Sequence, residues 1–298
     1  MFTGLSAFPL TPIHRDRVDE AAFAGLVGRL ARAGVDSITA LGSTGSYAYL
    51  TRDERARVVR LAVEHAGEVP VLAGIGALRT SHVLEFAEDA QRAGASGVLL
   101  APVSYQELTP DDVYGLYEDV TRALSVPLVV YDNPRTTHFS FTDDLYRDVA
   151  RLPGVASLKI PGVPADPAEA ARRVARLREL LPQGVTVGVS GDAFGATGLN
   201  AGCDAWYSVI GGTLPAPALE IVRAARSGAA ERAEELSARL GPLWDLFARH
   251  GSLRVAAAIA EHLGLVRGPS LPLPLRGLGP QDRDRVARVV EELGLGQE

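Results

Sequence analysis

The chain is short of several residue types that would point to particular classes of protein. Its 298 residues include one cysteine, Cys203, so an intrachain disulfide is excluded and a reducing, cytoplasmic location is expected. No apolar run reaches the roughly 18 residues of a membrane span. Residues 1–9 also lack the charged start and long apolar stretch of a signal peptide. The sequence therefore predicts no membrane partner.

Charge and metal ligands are not arranged in the patterns that nucleic-acid-binding or metal-binding proteins use. The net charge is −6, the pI is near 5.6 and no basic cluster occurs, which argues against a nucleic-acid partner. The six histidines are scattered without the spacing of a ligand set, so no metal and no other cofactor is expected. His138 follows the polar segment at residues 131–134, where it either contacts a substrate or belongs to a solvated loop.

Lysine is the scarcest charged residue, and its one occurrence is informative. Lys159 is the only lysine, and the other 29 of the 30 Lys and Arg side chains are arginines. It lies near the end of the apolar run 155–160. An amine condenses with a carbonyl group to form an imine, which a guanidinium does not, and burial readily lowers the pKa of an amine. Lys159 is therefore either a Schiff-base nucleophile or a leftover lysine whose ammonium reaches the surface.

Short apolar runs alternate with amphipathic segments along most of the chain. The segments between the runs carry apolar residues at positions i, i+3, i+4 and i+7, the spacing of an amphipathic helix. Runs that are apolar throughout are typical of parallel strands covered on both faces. The eight runs that we interpret as strands are residues 5–9, 35–41, 71–75, 97–101, 128–131, 156–160, 186–189 and 205–209.

Glycines and prolines mark the joints between these segments. Gly34, Gly94 and Gly202 each lie where a predicted helix ends and a strand begins.

Eight strand–helix units predict an α/β fold, a (β/α)8 TIM barrel over residues 1–227, with catalytic groups at the C-terminal ends of the strands. A doubly wound open sheet is the alternative, but its glycine fingerprint is absent. Residues 228–298 are predicted to form a C-terminal helical region, with helices over 229–250, 253–263 and 280–293.

Four polar segments follow or end candidate strands, and the ends of barrel strands converge on one mouth. In residues 42–46, two glycines are expected to turn the backbone tightly and expose N–H groups, while two hydroxyls bind a carboxylate or phosphate. Each segment also has a plainer alternative: an ordinary turn, a buried tyrosine with a satisfied hydroxyl, a surface lysine, or a helix N-cap at Asp192. The segments are Gly42-Ser43-Thr44-Gly45-Ser46, Tyr131-Asp132-Asn133-Pro134, Lys159 and Ser190-Gly191-Asp192.

Together these groups make up the parts of class I aldolase chemistry. An amine condenses with a ketone, hydroxyl and amide donors hold the adjacent carboxylate, and a phenol moves protons. The amine would be Lys159 and the phenol Tyr131.

The same segments carry a family pattern. Residues 42–46 correspond to G-[TS]-T-G-E, residues 50–55 to L-T-x-x-E-R, residues 131–134 to Y-N-x-P, residues 190–192 to S-G-D, and Tyr207-Ser208-Val209 to an aromatic-or-isoleucine-S-V strand. Lys159 lies 28 residues after Tyr131, which is the family spacing. Over essentially its full length the chain resembles the dihydrodipicolinate synthase / N-acetylneuraminate lyase family of pyruvate-dependent class I aldolases.

This resemblance implies a role for particular residues and a quaternary structure. Lys159, Tyr131 and Thr44 would be catalytic, with a 2-oxo acid such as pyruvate as the small-molecule substrate. The resemblance also implies a homotetramer, built as a dimer of dimers. The substrate-binding residues would be Ser43, Thr44, Tyr207, Arg135, Gly191 and Tyr105.

Some positions depart from the family pattern, and the departures concern the second substrate. Ser46 replaces the motif glutamate, and Asp132 replaces the asparagine of Y-N-x-P. Thr136 stands where the lysine-pathway synthases carry an arginine for the carboxylate of the aldehyde, with Arg135 one residue earlier. Those synthases also use a tyrosine that crosses a subunit interface, and Tyr105 lies one residue beyond the aligned position.

Several functions remain open at this level. The leading prediction is a Schiff-base lyase or aldolase of uncertain second substrate. One alternative is 4-hydroxy-tetrahydrodipicolinate synthase proper, and another is a dehydratase or aldolase of deoxy-keto sugar acids. An alternative from a different class is a keto-acid-binding protein that has lost turnover.

Overall fold

The barrel predicted from the alternating pattern is present. The structure, a computed structural model, describes residues 2–296. Within them, eight parallel strands close into a barrel in chain order, which confirms the (β/α)8 TIM barrel, and a short antiparallel pair follows the first strand along the chain. The barrel strands are β1 (Gly4–Ala7), β4 (Ser37–Ala40), β5 (Val71–Gly74), β6 (Gly97–Leu100), β7 (Leu128–Tyr131), β8 (Val155–Ile160), β9 (Thr186–Ser190) and β10 (Ala205–Ser208); the pair is β2 (Ile13–His14) and β3 (Arg17–Val18).

Helices surround the barrel, and their sequences explain where several of them begin. Thr51 and Thr109 each accept a hydrogen bond from the backbone three residues on, in a reciprocal capping box. The predicted joint glycines Gly34, Gly94 and Gly202 all have positive φ, between 74° and 102°. The helices are α1 (Glu20–Ala33), α2 (Arg52–His65), α3 (Thr80–Arg92), α4 (Pro110–Arg122), α5 (Pro134–Thr137), α6 (Asp143–Ala150), α7 (Pro167–Leu180), α8 (Gly195–Asn200), α9 (Pro215–Arg226), α10 (Ala230–Arg239), α11 (Gly241–His250), α12 (Ser252–His262) and α13 (Pro280–Glu292).

The register of the strands places Lys159 inside the barrel. Alternate residues of a strand face the same side, and Ser157, two residues before Lys159, shares a 2.8 Å hydrogen bond with the buried Tyr207. On the neighbouring strand, Tyr131 pairs with Lys159. Tyr131 and Tyr207 belong to one apolar cluster with Phe8. The amine therefore lies above the apolar filling of the barrel, near the C-terminal ends of the strands.

The C-terminal region is helical as predicted, but one predicted helix is wrong. The single helix expected over 229–250 is two helices, α10 and α11, which meet at Leu240. Pro242 lies in the first turn of α11, and because proline has no N–H and crowds the preceding turn, it cannot continue α10. The predicted division at 227/228 falls between α9 and α10 and stays a prediction. Among residues 2–296, no helix combines the length and apolar character that a membrane span requires.

Gly74, at the end of β5, lies so close to the neighbouring strand that a side chain would not fit. A Cβ there would lie 1.9 Å from the Leu41 carbonyl oxygen. We expect Gly74→Ala to lower the free energy of unfolding by about 3 kcal/mol or more, because backbone must move. Gly25→Ala is the matched control: Gly25 lies in α1 with open space at its Cβ, so alanine should stabilise by roughly 0.5–1 kcal/mol. Urea unfolding measures both, and a Gly74→Ala variant as stable as wild type would contradict the packing.

Candidate active site

Lys159 lies inside the barrel mouth and is buried. The residue is 4% exposed. The Nζ atom lies 3.4 Å from the centroid of the Tyr131 ring and 5.1 Å from that of Phe8. Burial holds the pKa of Lys159 well below its usual value, because a charge is poorly solvated there. The structure therefore disposes of the surface-lysine alternative and favours a neutral, nucleophilic amine.

Tyr131 is part of a compact hydrogen-bond network with two polar neighbours. Its hydroxyl lies 3.3 Å from the Ser43 hydroxyl. Asn133 donates from Nδ2 to both oxygens, at 2.8 Å to Tyr131 and 3.2 Å to Ser43. Burial raises the pKa of Tyr131, while the hydrogen bond with Ser43 lowers it. The phenol is therefore protonated at neutral pH and held beside the amine, as a proton donor must be.

The segment 42–46 carries the expected hydroxyls, and close packing rather than a left-handed backbone accounts for its two glycines. The left-handed residues of this turn are Leu41 and Ser46, with φ of 57° and 53°, not the two glycines. A Cβ on Gly42 would lie 2.5 Å from the Phe8 ring, and one on Gly45 would lie 3.0 Å from Leu41. Gly42 therefore allows close packing against Phe8, and Gly45 allows close packing against the backbone of Leu41.

Asp192 is not the helix N-cap that its position suggested. It opens a short 3-10 turn, and its carboxylate reaches across to the end of β10. There it accepts hydrogen bonds from the Ser208 hydroxyl at 2.9 Å and from the N–H groups of Val209 and Ile210 at 3.1 and 2.9 Å. Burial raises its pKa to about 6, so it is mostly ionised at neutral pH. Its charge favours a cation at Lys159.

Asp132 is a second buried acid whose charge acts on Lys159. Its Oδ2 accepts a 2.5 Å hydrogen bond from the hydroxyl of Tyr146 in α6. Burial raises the pKa of Asp132, and the bond from Tyr146 opposes that rise. Two buried carboxylates thus partly offset the loss of hydration when the lysine nitrogen carries a charge, as it does in an iminium.

The charge of Asp132 predicts a pH effect. In Asp132→Asn an anion that raises the pKa of Lys159 is lost, so the free amine should persist to lower pH. The acidic limb of imine formation, measured as the rate of borohydride trapping with pyruvate between pH 5 and 9, is therefore expected to move to lower pH. Asp144→Asn, an exposed acid of α6, is the control and should leave the limb in place. A shift to higher pH would contradict this electrostatic account.

Arg55 fixes the strand ends on one side of the mouth. It is buried, and it donates to the carbonyls of Gly76 and Gly74 at 3.0 and 2.9 Å. Its guanidinium lies 3.6 Å from the centroid of the Phe86 ring. Burial lowers its pKa to about 10, which leaves it charged at neutral pH. Gly74 and Gly76 also line a narrow cleft, together with Leu41, Gly42, Tyr47, Leu99, Ala101 and Tyr131.

The structure brings four of the eight predicted site residues together at the mouth. Lys159, Tyr131 and Ser43 are in one group, and Thr44, next to Ser43, is buried. Tyr207 lies lower, with its hydroxyl bonded to Ser157, so its side chain fills the barrel rather than lining the opening.

The remaining predicted residues lie outside the network. Gly191 is exposed at the end of β9, with φ of 80° and a Cβ position 3.0 Å from the Phe194 ring. Arg135 in α5 and His138 are exposed, and Tyr105 is 90% exposed. Within this one chain Arg135 and Tyr105 do not contact the network, so their substrate-binding roles stay predictions.

Sequence reasoning missed Asn133 and Phe8. Asn133 was visible as the third residue of the tyrosine motif, but an asparagine before a proline-initiated turn reads as an ordinary turn residue. Phe8 follows the first strand and gave no signal that distinguished it from a core residue. Among residues 2–296, no group of three or more His, Cys, Asp or Glu side chains is placed to hold a metal ion.

Comparison with known proteins gives one consistent result. A model of the dihydrodipicolinate synthetase family matches residues 1–293. A 4-hydroxy-tetrahydrodipicolinate synthase from Azoarcus sp. (strain BH72) is 30% identical over 298 residues, covering 99% of each chain.

Solved structures agree with this. The crystal structure of a dihydrodipicolinate synthase from Agrobacterium tumefaciens str. C58 has a TM-score of 0.94 and 45% identity over 98% of each chain. That of a putative dihydrodipicolinate synthetase from Pseudomonas aeruginosa has a TM-score of 0.90 and 27% identity, over 98% of this chain and 100% of the other.

Proposed function

Because the chain belongs to the dihydrodipicolinate synthetase family, we propose that Lys159 is the residue that forms an imine with pyruvate or a related 2-oxo acid. The protein is a class I, lysine Schiff-base aldolase or lyase. The observation that carries the assignment of Lys159 is the placement of its buried Nζ 3.4 Å from the centroid of the Tyr131 ring. It is also the only lysine in the sequence.

The chemistry begins with attack of the neutral amine on the ketone carbon. A C–N bond forms and gives a carbinolamine. Tyr131 then donates its proton to the departing hydroxyl, water leaves, and the nitrogen becomes an iminium. The Tyr131 phenolate takes a proton from C3, which gives an enamine. The enamine carbon attacks the aldehyde carbon, and the aldehyde oxygen takes the proton from Tyr131. Water then hydrolyses the new iminium, which releases the product, regenerates the neutral amine and returns a proton to Tyr131. Asp192 and Asp132 stabilise the iminium charge by their own charges.

The carboxylate of the 2-oxo acid is proposed to bind at the turn after β4. Ser43 and Thr44 offer hydroxyls there, and Ser43 is already within the Tyr131 network. Gly191 and the backbone of Tyr207 complete the opposite side, at the ends of β9 and β10. Thr44 would act in catalysis by holding the substrate against the phenol.

The second substrate is proposed to be an aldehyde whose own carboxylate, if it has one, is not clamped by an arginine at position 136. Thr136 lies there, exposed, on the single turn of α5. Arg135, on the same turn, is the nearest cation in sequence and is proposed to contact the second substrate. The relatives are named as 4-hydroxy-tetrahydrodipicolinate synthases, so that reaction is the first to be tried.

Two further expectations are kept as proposals. A homotetramer built as a dimer of dimers would bring Tyr105, which is 90% exposed in one chain, against another subunit. A cytoplasmic location agrees with a single, buried cysteine.

The test is borohydride trapping of the imine, followed by a screen for the second substrate. Borohydride with pyruvate should add one reduced pyruvate to Lys159, located by peptide mass spectrometry, and an unmodified protein at saturating pyruvate would overturn the proposal. Exchange of the C3 protons of pyruvate in D2O, followed by NMR, reports enamine formation without an aldehyde. A panel of aldehydes with and without carboxylates then separates carbon–carbon bond formation from water loss and from binding alone.

A further inference from the structure

Asn133 occupies a position where its side chain would ordinarily serve the backbone. It is the N-cap residue of α5, and asparagine at an N-cap usually accepts a hydrogen bond from the first turn. Here the side chain makes no capping bond; only its backbone carbonyl does so, accepting from the N–H groups of Thr136 and Thr137. The amide is directed instead toward Tyr131 and Ser43.

The direction of these bonds constrains the two hydroxyl protons. The Nδ2 group is a donor only, and it donates to the Tyr131 oxygen at 2.8 Å and the Ser43 oxygen at 3.2 Å. Neither hydroxyl can therefore donate back to Nδ2. One of the two can donate to the other across 3.3 Å, which leaves the other hydroxyl proton without an acceptor among these three side chains.

We propose that Asn133 is a positioning residue for the reaction, which orients the Tyr131 proton toward the carbinolamine and stabilises the phenolate that remains after transfer. The proposal rests on the proposed function of Lys159 and Tyr131. An N–H donor to an oxygen that becomes negative is worth more in the transition state than in the ground state, so it acts on kcat. A neutral donor suits this task, because a carboxylate at position 133 would accept the Tyr131 proton and keep it from the carbinolamine.

The surroundings of Tyr131 make this donor necessary. The titratable groups that act on it are Lys159, over its ring, and Tyr47 and Asp132, both of which raise its pKa. Burial acts in the same direction. Of its hydroxyl-bonding neighbours, the amide of Asn133 is the one that can only donate, and so the one that always favours the ionised form.

The experiment compares two replacements of Asn133 in the full-length protein. Asn133→Ala removes the donor, and Asn133→Asp keeps the shape but reverses the hydrogen bond, so the carboxylate accepts the Tyr131 proton. For deuterium exchange into pyruvate we expect kcat to fall about 10- to 100-fold in the alanine variant and further in the aspartate variant. KM for pyruvate should stay within about twofold, and borohydride should still label Lys159 completely at long times.

Asn200 provides a matched control asparagine. Its Nδ2 also donates two hydrogen bonds, to the Ala230 carbonyl at 3.1 Å and to Glu234 at 3.3 Å, but it lies at the end of α8. Asn200→Ala should alter stability and leave exchange unchanged.

The outcomes separate the possible failures. An Asn133→Asp variant that exchanges as fast as wild type would show that the amide does not act as a donor and would overturn the inference. So would a rise in KM with kcat unchanged, which would make Asn133 a substrate-binding residue. If wild type itself neither exchanges nor is labelled, the proposed function is wrong, and this inference falls with it.

Discussion

Lys159→Arg is expected to abolish imine formation and with it all measurable turnover. Arginine has nearly the length of the lysine side chain, but it is always charged and its guanidinium does not condense with a ketone. Because every later step passes through the imine, the rate of deuterium exchange into pyruvate should fall by about 10⁴-fold or more. Pyruvate with borohydride should leave residue 159 unmodified, and the chain has no other lysine side chain to label.

Lys159→Met tests the same residue by stability. Burial lowers the pKa of Lys159 well below 10.5, so at pH values between the folded and unfolded pKa folding releases a proton that the unfolded chain holds. The free energy of unfolding associated with this group therefore rises with pH between the folded and unfolded pKa values. Methionine removes this dependence, and we expect an inactive variant that melts about 2 °C or more higher at pH 7. Residual labelling or exchange in either variant would contradict the assignment of Lys159.

Tyr131→Phe is expected to have the second largest effect. The ring under Lys159 remains, but the proton donor for the carbinolamine is lost, and general acid–base catalysis contributes about 10²- to 10⁴-fold. We expect kcat for exchange to fall by that factor with KM for pyruvate little changed. Imine still forms slowly, so prolonged borohydride treatment should label Lys159.

Tyr117→Phe is the matched control for Tyr131→Phe. Tyr117 is also a buried tyrosine with a bonded hydroxyl, which donates to the Leu100 carbonyl at 2.6 Å. Its loss should lower the free energy of unfolding by about 1 kcal/mol and leave exchange unchanged. Equal exchange rates in Tyr131→Phe and wild type would exclude the phenol as the proton donor.

The sequence alone determined the barrel and the place of its one lysine near the end of a strand. Continuously apolar runs and helical spacing are local properties, and the positive φ of Gly34, Gly94 and Gly202 agreed with the predicted joints. A closed parallel barrel brings the C-terminal ends of all strands to one rim. Ser43, Tyr131 and Lys159 could therefore be grouped, because each lies at or just after the end of a strand. Pro242 can be read in the sequence, but apolar residues at helical spacing on both sides of it favoured one continuous helix, so the break was not predicted.

Only the tertiary structure decided which hydrogen-bond partners these side chains have. The bond from Asn133 to Ser43 joins residues 90 positions apart, and the bonds from Asp192 lead to the end of another strand. Whether an asparagine caps its own helix or supports a phenol depends on which group lies within 3 Å after folding. Local sequence favours the cap, but in the folded chain the amide donates instead to Tyr131, two residues earlier, and to Ser43 on the turn after β4.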